Sequence, residues 1–423
     1  MRKTKWTSLF MLLLLPWYSQ SDNGHPRKDH KPEKPLIGKT LPDWKEGFLD
    51  IHAINTGRGE STLLILPDGT TLLIDAAGSL ISPSHAIPPT PQKPNSGITP
   101  GQVITNYVKH FIKPASNRLN YVMLSHFDPD HMGTYMSDLP QHSSGDFRMV
   151  GVTEVGANIA FDKIIDRGYP DYSFPTDMKT DERIENYIHF IRWAKTAYGA
   201  TAEQFAAGKN NQIVLKQNPS KYPGFEIRNI CSNGLVWTGK GTKSINKLPS
   251  AAEITAAKAA ENIFSIGLVL SYGKFNYFTA GDLQHNGRSD HPWKDMEAPV
   301  AAVVPPVEVM KANHHGTSNC NSDAILKSLS PQTVVIQPWR DVHPNPETVS
   351  RMLTVNPDCQ LFSTNMTEAN KPRLGNNLSR FKSMQGHIVV RVSPGGQEYY
   401  VYVLDDNNEE YKVTGVFGPY KSK

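Results

Sequence analysis

The chain has 423 residues, 38% hydrophobic, 20% charged and 9% aromatic, which excludes a largely disordered polymer and supplies apolar residues for a sizeable core. Its three cysteines exclude a disulfide-built scaffold and an all-cysteine structural zinc site. The formal net charge of +4 is not a property of the body: Arg2, Lys3 and Lys5 carry +3, residues 22–40 a further +2, and residues 41–423 are left at −1.

The basic start, the apolar run over residues 6–18 and the small polar residues Ser19 to Ser21 have the three parts of a secretory signal peptide. Cleavage is expected near Ser21, giving residues 1–21 as signal and a secreted or periplasmic protein. The run of 13 residues is shorter than the about 20 that a spanning helix needs. No other stretch approaches that length, so no integral membrane span is expected after signal removal. Residues 22–40 are Pro, Lys, Asp and His with few apolar residues and read as a disordered tether, in which His25 and His30 are solvated. The folded domain is expected over residues 41–423.

Residues 47–54, 61–66 and 70–74 carry strand-like apolar runs, the last ending in Asp75. A Pro- and Ser-rich loop follows over residues 79–100. Helical spacing of Val103, Tyr107, Val108 and Phe111 marks a helix over 102–112, and 121–124 is a further short strand. The pattern loosens between residues 140 and 260, apart from an amphipathic helix over 183–198, and that stretch reads as a long insertion. Residues 263–270 and 276–279 read as a strand pair leading to Asp282, 307–311 as a strand before His314 and His315, and 333–336 as another. Residues 387–404 read as a closing β-hairpin across Pro394-Gly395-Gly396. Strands alternating with helices predict an α/β layered architecture. The two long loops are expected to rim a cleft.

The sharpest signal is Ser125-His126-Phe127-Asp128-Pro129-Asp130-His131-Met132-Gly133. Four potential ligands fall within six residues directly after an apolar strand, and two carboxylates beside two imidazoles call for a cation to neutralise them. The plainer alternative is a solvated polar turn. Asp282 and the pair His314-His315 each follow a strand, and the three clusters in this order make the case for a metal site. Cys320 and Cys359 have no neighbour that would activate a thiolate.

The chain resembles the metallo-β-lactamase superfamily of binuclear metal hydrolases, and within it the nuclease-like domain of ComEC-type competence proteins. The resemblance rests on Gly57-Arg58-Gly59-Glu60, Ile74-Asp75, the His-x-Asp-x-Asp-His run of His126 to His131, Gly281-Asp282, His314 to Thr317 and His343-Pro344. It implies a four-layer αββα sandwich with long insertions. It also implies two divalent ions, zinc with manganese as the alternative, sharing a bridging hydroxide. His126 and Asp128 would hold the first ion, and Asp130, His131 and one histidine of the His314–His315 pair, with His315 preferred, the second, with Asp282 between them. Asp130 and His314 would be the catalytic residues, His314, His343 and Ser318 would contact substrate, and Asp75 would orient the metal loop from behind. No histidine lies between His189 and His285, so the mid-chain ligand of many members has no counterpart, and water or a ligand that the sequence does not identify would complete the first ion.

The implied activity is an exported phosphodiesterase or nuclease acting on a small-molecule phosphoester, with short nucleic acid as a further substrate. The negative body disfavours a tight grip on long DNA. A lactamase- or lactonase-type carbonyl hydrolase on the same fold is the second reading, and a non-catalytic secreted binding module the third.

Overall fold

The computed structural model of the chain describes Met1 and residues 36–79, 89–112, 117–285 and 291–423. The expected signal segment, the tether up to residue 35 and residues 80–88 of the Pro-rich loop lie outside the described residues. Residues 36–40, read as tether, belong to the body: Gly38 N–H donates to the Val413 carbonyl at 2.8 Å, and Val413 N–H to the Lys39 carbonyl at 2.8 Å.

The first sheet begins with β1 (Leu49–Ala53), β2 (Thr62–Ile65), β3 (Thr71–Ile74), β4 (Arg118–Met123), β5 (Ala160–Asp166) and β6 (Thr201–Gln204). The second is built from β7 (Phe225–Ser232), β8 (Leu235–Trp237), β9 (Ser244–Asn246), β10 (Gly267–Tyr272), β11 (Phe275–Thr279), β12 (Val309–Lys311), β13 (Thr333–Ile336), β14 (Gln360–Ser363) and β15 (Phe381–Ser383). The chain then returns to the first sheet with β16 (His387–Val392), β17 (Glu398–Leu404) and β18 (Val413–Lys421). The spatial orders are β18-β17-β16-β1-β2-β3-β4-β5-β6 and β15-β14-β13-β12-β11-β10-β7-β8-β9. From β3 to β6 and from β11 to β15 the strands run parallel.

Parallel neighbours need crossovers, and helices supply most of them. They are α1 (Pro100–Phe111), the one-turn α2 (Pro129–Met132), α3 (Val152–Asn158), α4 (Glu182–Tyr198), α5 (Ala251–Ala256), α6 (Glu297–Ala301), α7 (Asp323–Leu329) and α8 (Pro346–Val355). Ile51, Leu64, Leu72 and Ile74 of the first sheet pack against Leu268, Leu270, Val309 and Val335 of the second. The other face of the first sheet, with Leu63, Leu73, Val122 and Ile164, is covered by Ile104, Tyr107 and Val108 of α1, Val152 and Val155 of α3 and Phe190 of α4. On the far side, Val269, Phe278, Met310 and Val334 meet Val300, Ile325, Leu326 and Val349 from α6 to α8. The fold is thus a four-layer αββα sandwich. Its central strands are buried on both faces, which is why they read as continuous apolar runs rather than alternating ones.

Two expectations change. Residues 140–260 are not an excursion from the sandwich: β5 and β6 extend the first sheet and β7 to β9 the second. Polar side chains at the edges, such as Glu203 and Gln204 of β6, hid these strands. Residues 263–270 are also not one strand. Glu261–Phe264 form a tight turn whose Ile263 and Phe264 fill the outer core, and β10 starts only at Gly267. A short apolar run does not reveal which of these it will become.

Candidate metal centre

Both sheets end their central parallel strands at one edge of the sandwich. There Asp75, in the left-handed region at φ 60°, turns its carboxylate under the loop that leaves β4. Ser125 N–H donates to Asp75 Oδ1 at 2.7 Å, and Ser125 Oγ and His131 Nδ1 donate to Oδ2 at 2.7 and 2.8 Å. The Asp130 carbonyl accepts from Glu60 N–H and the His131 carbonyl from Ala76 N–H. Gly59 makes the first of these approaches possible, since a Cβ there would stand 2.0 Å from the Asp130 carbonyl oxygen. From the second sheet, β11 delivers Asp282 and β12 the turn that carries His314 and His315. Glu297 of α6 holds that turn, accepting from Asn313 Nδ2 at 2.8 Å and from Asn321 N–H and Ser322 N–H at 2.6 and 2.7 Å.

The imidazoles converge on Asp282. Its Oδ1 is 3.1 Å from His131 Nε2, and its Oδ2 is 3.4, 3.6 and 3.9 Å from Nε2 of His315, His314 and His126. Asp130 Oδ2 is 2.9 Å from His315 Nε2, and Asp128 Oδ2 is 3.6 Å from His126 Nε2. His126 Nε2, His131 Nε2 and Asp282 Oδ1 are buried without a hydrogen-bond partner. Each such atom costs about 1–3 kcal/mol unless something else satisfies it. Donor atoms of His131, His315, Asp282 and Glu60 lie within 4.8 Å of one another. Buried lone pairs aimed at one point, two kinds of ligand atom and an excess of carboxylates fit divalent cations.

Behind the facing atoms stands an orienting layer. His315 Nδ1 donates to the Gln337 carbonyl at 2.9 Å, with Glu60 Oε1 alongside at 3.1 Å. Glu60 Oε2 is paired with Lys311 Nζ at 2.6 Å, and Lys311 also donates to the Gly281 carbonyl. Glu60 therefore serves His315 from behind, although it lies inside the same tight cluster. Trp339 Nε1 donates to Asp130 Oδ2 at 2.7 Å. Thr90 joins Trp339 to the end of the Pro-rich loop, where Arg58 Nη1 donates to the Thr90 carbonyl at 2.6 Å.

Burial opposes charge on Asp130, Asp282, His131 and His315, yet their neighbours outweigh it. It pushes the Asp130 and Asp282 carboxyls up, but the surrounding histidines hold both well below the usual range. It pushes His131 and His315 down, but Asp282 with Asp75, and Asp282 with Glu60, hold those two well above the usual range. With only carboxylates as partners both rings keep a proton, so seating a cation would release protons.

The structure brings His126, Asp128, Asp130, His131, Asp282 and His315 to one point with Asp75 behind them. His343, expected to contact substrate, is buried and stacked on His315 at 4.6 Å. Burial, with His315 and His314 close by, holds it well below its ordinary pKa. Ser318 is exposed. The three cysteines are free and buried, and burial raises each thiol. Glu60, Lys311, Trp339, Glu297 and Glu261 were not read as site residues. Only Glu60 had a signal, the acidic residue closing Gly-x-Gly.

The architecture and the cluster define the class as an αββα sandwich with a candidate metal centre at the edge where its two sheets meet. Solved structures that resemble it include an isothiocyanate hydrolase from Delia radicum gut bacteria, 12% identical, covering 82% of this chain and 99% of that one at a TM-score of 0.36. Another is Igni18, a metallo hydrolase from the archaeon Ignicoccus hospitalis, 10% identical, covering 81% and 98% at a TM-score of 0.32. No family model and no curated protein matches the chain in sequence. Among the described residues no helix is long and apolar enough to cross a membrane.

Proposed function

We propose that the chain is an exported metal-dependent hydrolase of the metallo-β-lactamase type, close to the ComEC-type nuclease-like domains, and that it cleaves small phosphodiesters. The observation that carries this reading is the Asp282 carboxylate, which faces histidines from both sheets while its Oδ1 makes no hydrogen bond. The charge balance supports two ions. Glu60 is neutralised by Lys311, which leaves Asp75, Asp128, Asp130 and Asp282 as four carboxylates, the charge that two divalent cations balance. His126 and Asp128 would hold one ion, Asp130, His131 and His315 the other, and Asp282 would lie between them. Zinc or manganese bound there supplies Lewis acidity and a hydroxide at neutral pH.

The chain's own residues do the rest. Asp75 and the Gln337 carbonyl hold the Nδ1–H of His131 and His315, so that Nε2 is the nitrogen each ring would give to an ion once it loses its second proton. The open side of the cluster is where Asp128 and His314 stay partly exposed, at 32% and 21%, so substrate approaches between them. Phe127 is held at both ends, its N–H by Glu261 Oε1 at 3.0 Å and its carbonyl by Arg183 Nη1 at 3.3 Å, which fixes the direction of His126 and Asp128 on either side.

The test is hydrolysis of a chromogenic phosphodiester by protein reloaded with zinc or manganese, alongside Asp130→Ala and Asp282→Ala. Activity lost in both variants supports the reading, and activity that survives in both sinks it. Turnover of a β-lactam or lactone with none of the phosphodiester would move the protein to the carbonyl hydrolases. Metal-loaded protein inert toward all three would favour a binding module.

A further inference from the structure

We infer that His314 is the third ligand of the first ion, in place of the mid-chain histidine that the chain lacks; this rests on the two-ion reading above. Between His189 and His285 there is no histidine, and among the described residues the carboxylates before His126 Nε2 are those of Asp128 and the shared Asp282, at 3.6 and 3.9 Å. A third donor is either water or a side chain from another part of the chain. His314 Nε2 stands 3.6 Å from the Asp282 Oδ2 that faces His126 at 3.9 Å and His315 at 3.4 Å, whereas His131 takes Oδ1; of the two neighbours, His315 is already engaged by Asp130, which leaves His314 for the His126 side.

The backbone makes this arrangement at a cost. His314 and His315 are consecutive residues in the left-handed region, with φ 46° and 52°. Such conformations cost non-glycine residues about 1–3 kcal/mol each and persist only where the surroundings enforce them. Here Glu297 enforces them through Asn313, Asn321 and Ser322. The result is two adjacent imidazoles, centroids 6.0 Å apart, that both turn Nε2 toward one carboxylate. A single ligand at His315 would not require the residue before it to share the strain.

A second contact ties His314 to the His126 side. Asn262 Nδ2 donates to His314 Nε2 at 3.0 Å. The preceding residue, Glu261, accepts the N–H of Phe127 between His126 and Asp128, and Arg167, fully buried, grips Glu261 through Nε and Nη2. One tight turn thus sets both the His314 ring and the loop carrying the other two ligands of that ion. Binding the ion exchanges the Asn262 hydrogen bond for the ion itself.

Metal content reads this directly. Full-length protein dialysed against zinc or cobalt should hold two ions per chain, and His314→Ala and His126→Ala one each. The double variant His126→Ala/His314→Ala should still hold one, because both residues serve the same ion, whereas His314→Ala/His315→Ala should hold less than one. Circular dichroism checks that each variant is folded. Should His314→Ala unfold, His314→Gln takes its place and should weaken one of the two ions at least tenfold. Two ions bound at wild-type affinity in the His314 variant would overturn the assignment and return His314 to substrate. Wild-type protein that holds fewer than two ions would sink the two-ion reading itself.

Discussion

Asp75 Oδ2 lies 2.8 Å from Nδ1 of His131, while Nε2 of the same ring faces Asp282 Oδ1 at 3.1 Å. The imidazole stands between two carboxylates, and the one behind decides which nitrogen is free for the one in front. Asp75→Asn keeps the shape and removes the charge that stabilises this tautomer. The expected result is a loss of about 10–100-fold in metal affinity, measured by chelator competition. An unchanged affinity would reduce Asp75 to a support for Ser125.

Trp339 reaches Asp130 from the loop after β13. Trp339→Phe keeps an aromatic side chain but deletes the N–H that Asp130 Oδ2 accepts, together with one of the two fused rings. Thermal and urea unfolding should show a loss of about 1–3 kcal/mol, from the hydrogen bond and the vacated volume together. Metal affinity should fall by up to about tenfold, because the carboxylate loses a contact that aims it. A large stability loss with unchanged affinity would make Trp339 a packing residue.

Cations that bind only the folded chain stabilise it by mass action, about 2.7 kcal/mol per site at a hundred times the dissociation constant. Chelation should therefore lower the melting temperature by a few degrees. Asp282→Ala should show no such difference with and without chelator. If it shifts as wild type does, the stabilising ion binds elsewhere.

Away from the centre, burial holds His387 down at about 4 despite Asp406, and its Nδ1 accepts the Asn55 N–H at 3.0 Å. The unfolded chain takes up this proton near the ordinary value of 6.5, the folded one only near 4. Between those values the unfolded state binds more protons. The contribution is therefore complete above pH 6.5 and is lost as pH falls toward 4, by up to about 3 kcal/mol. His387→Gln should flatten urea-derived stability across that window, and an unaltered slope would refute the assignment.

The ligand loop was legible because its donors are neighbours in the chain and follow a strand buried on both faces. Asp282 and the His314–His315 pair could be placed by the same logic of polar residues at apolar strand ends. Lys311 and Trp339 were not, because each acquires its role from a partner far along the chain, and Glu297 was not, because its role is to hold the backbone of a turn that only the fold brings to it. Lys311 and Glu60 are 251 residues apart, and Trp339 and Asp130 are 209. His343 was misplaced for a related reason. A histidine before proline looks like a loop residue, and only the packing of His315 against it shows that it is interior. In the middle segment, β6, β8 and β9 are short and lie at or next to the edges of the sheets, where burial imposes no apolar pattern.

Asp130 and His315 are 185 residues apart, one on a loop from the first sheet and the other on a turn from the second. Neither sheet owns a complete centre. An ion seated between them works as a rivet through two plates, closing a long loop whose entropic cost grows only slowly with its length. A partly folded chain with one sheet formed offers a cation only part of the centre, so tight metal uptake during refolding marks the moment at which the two plates meet.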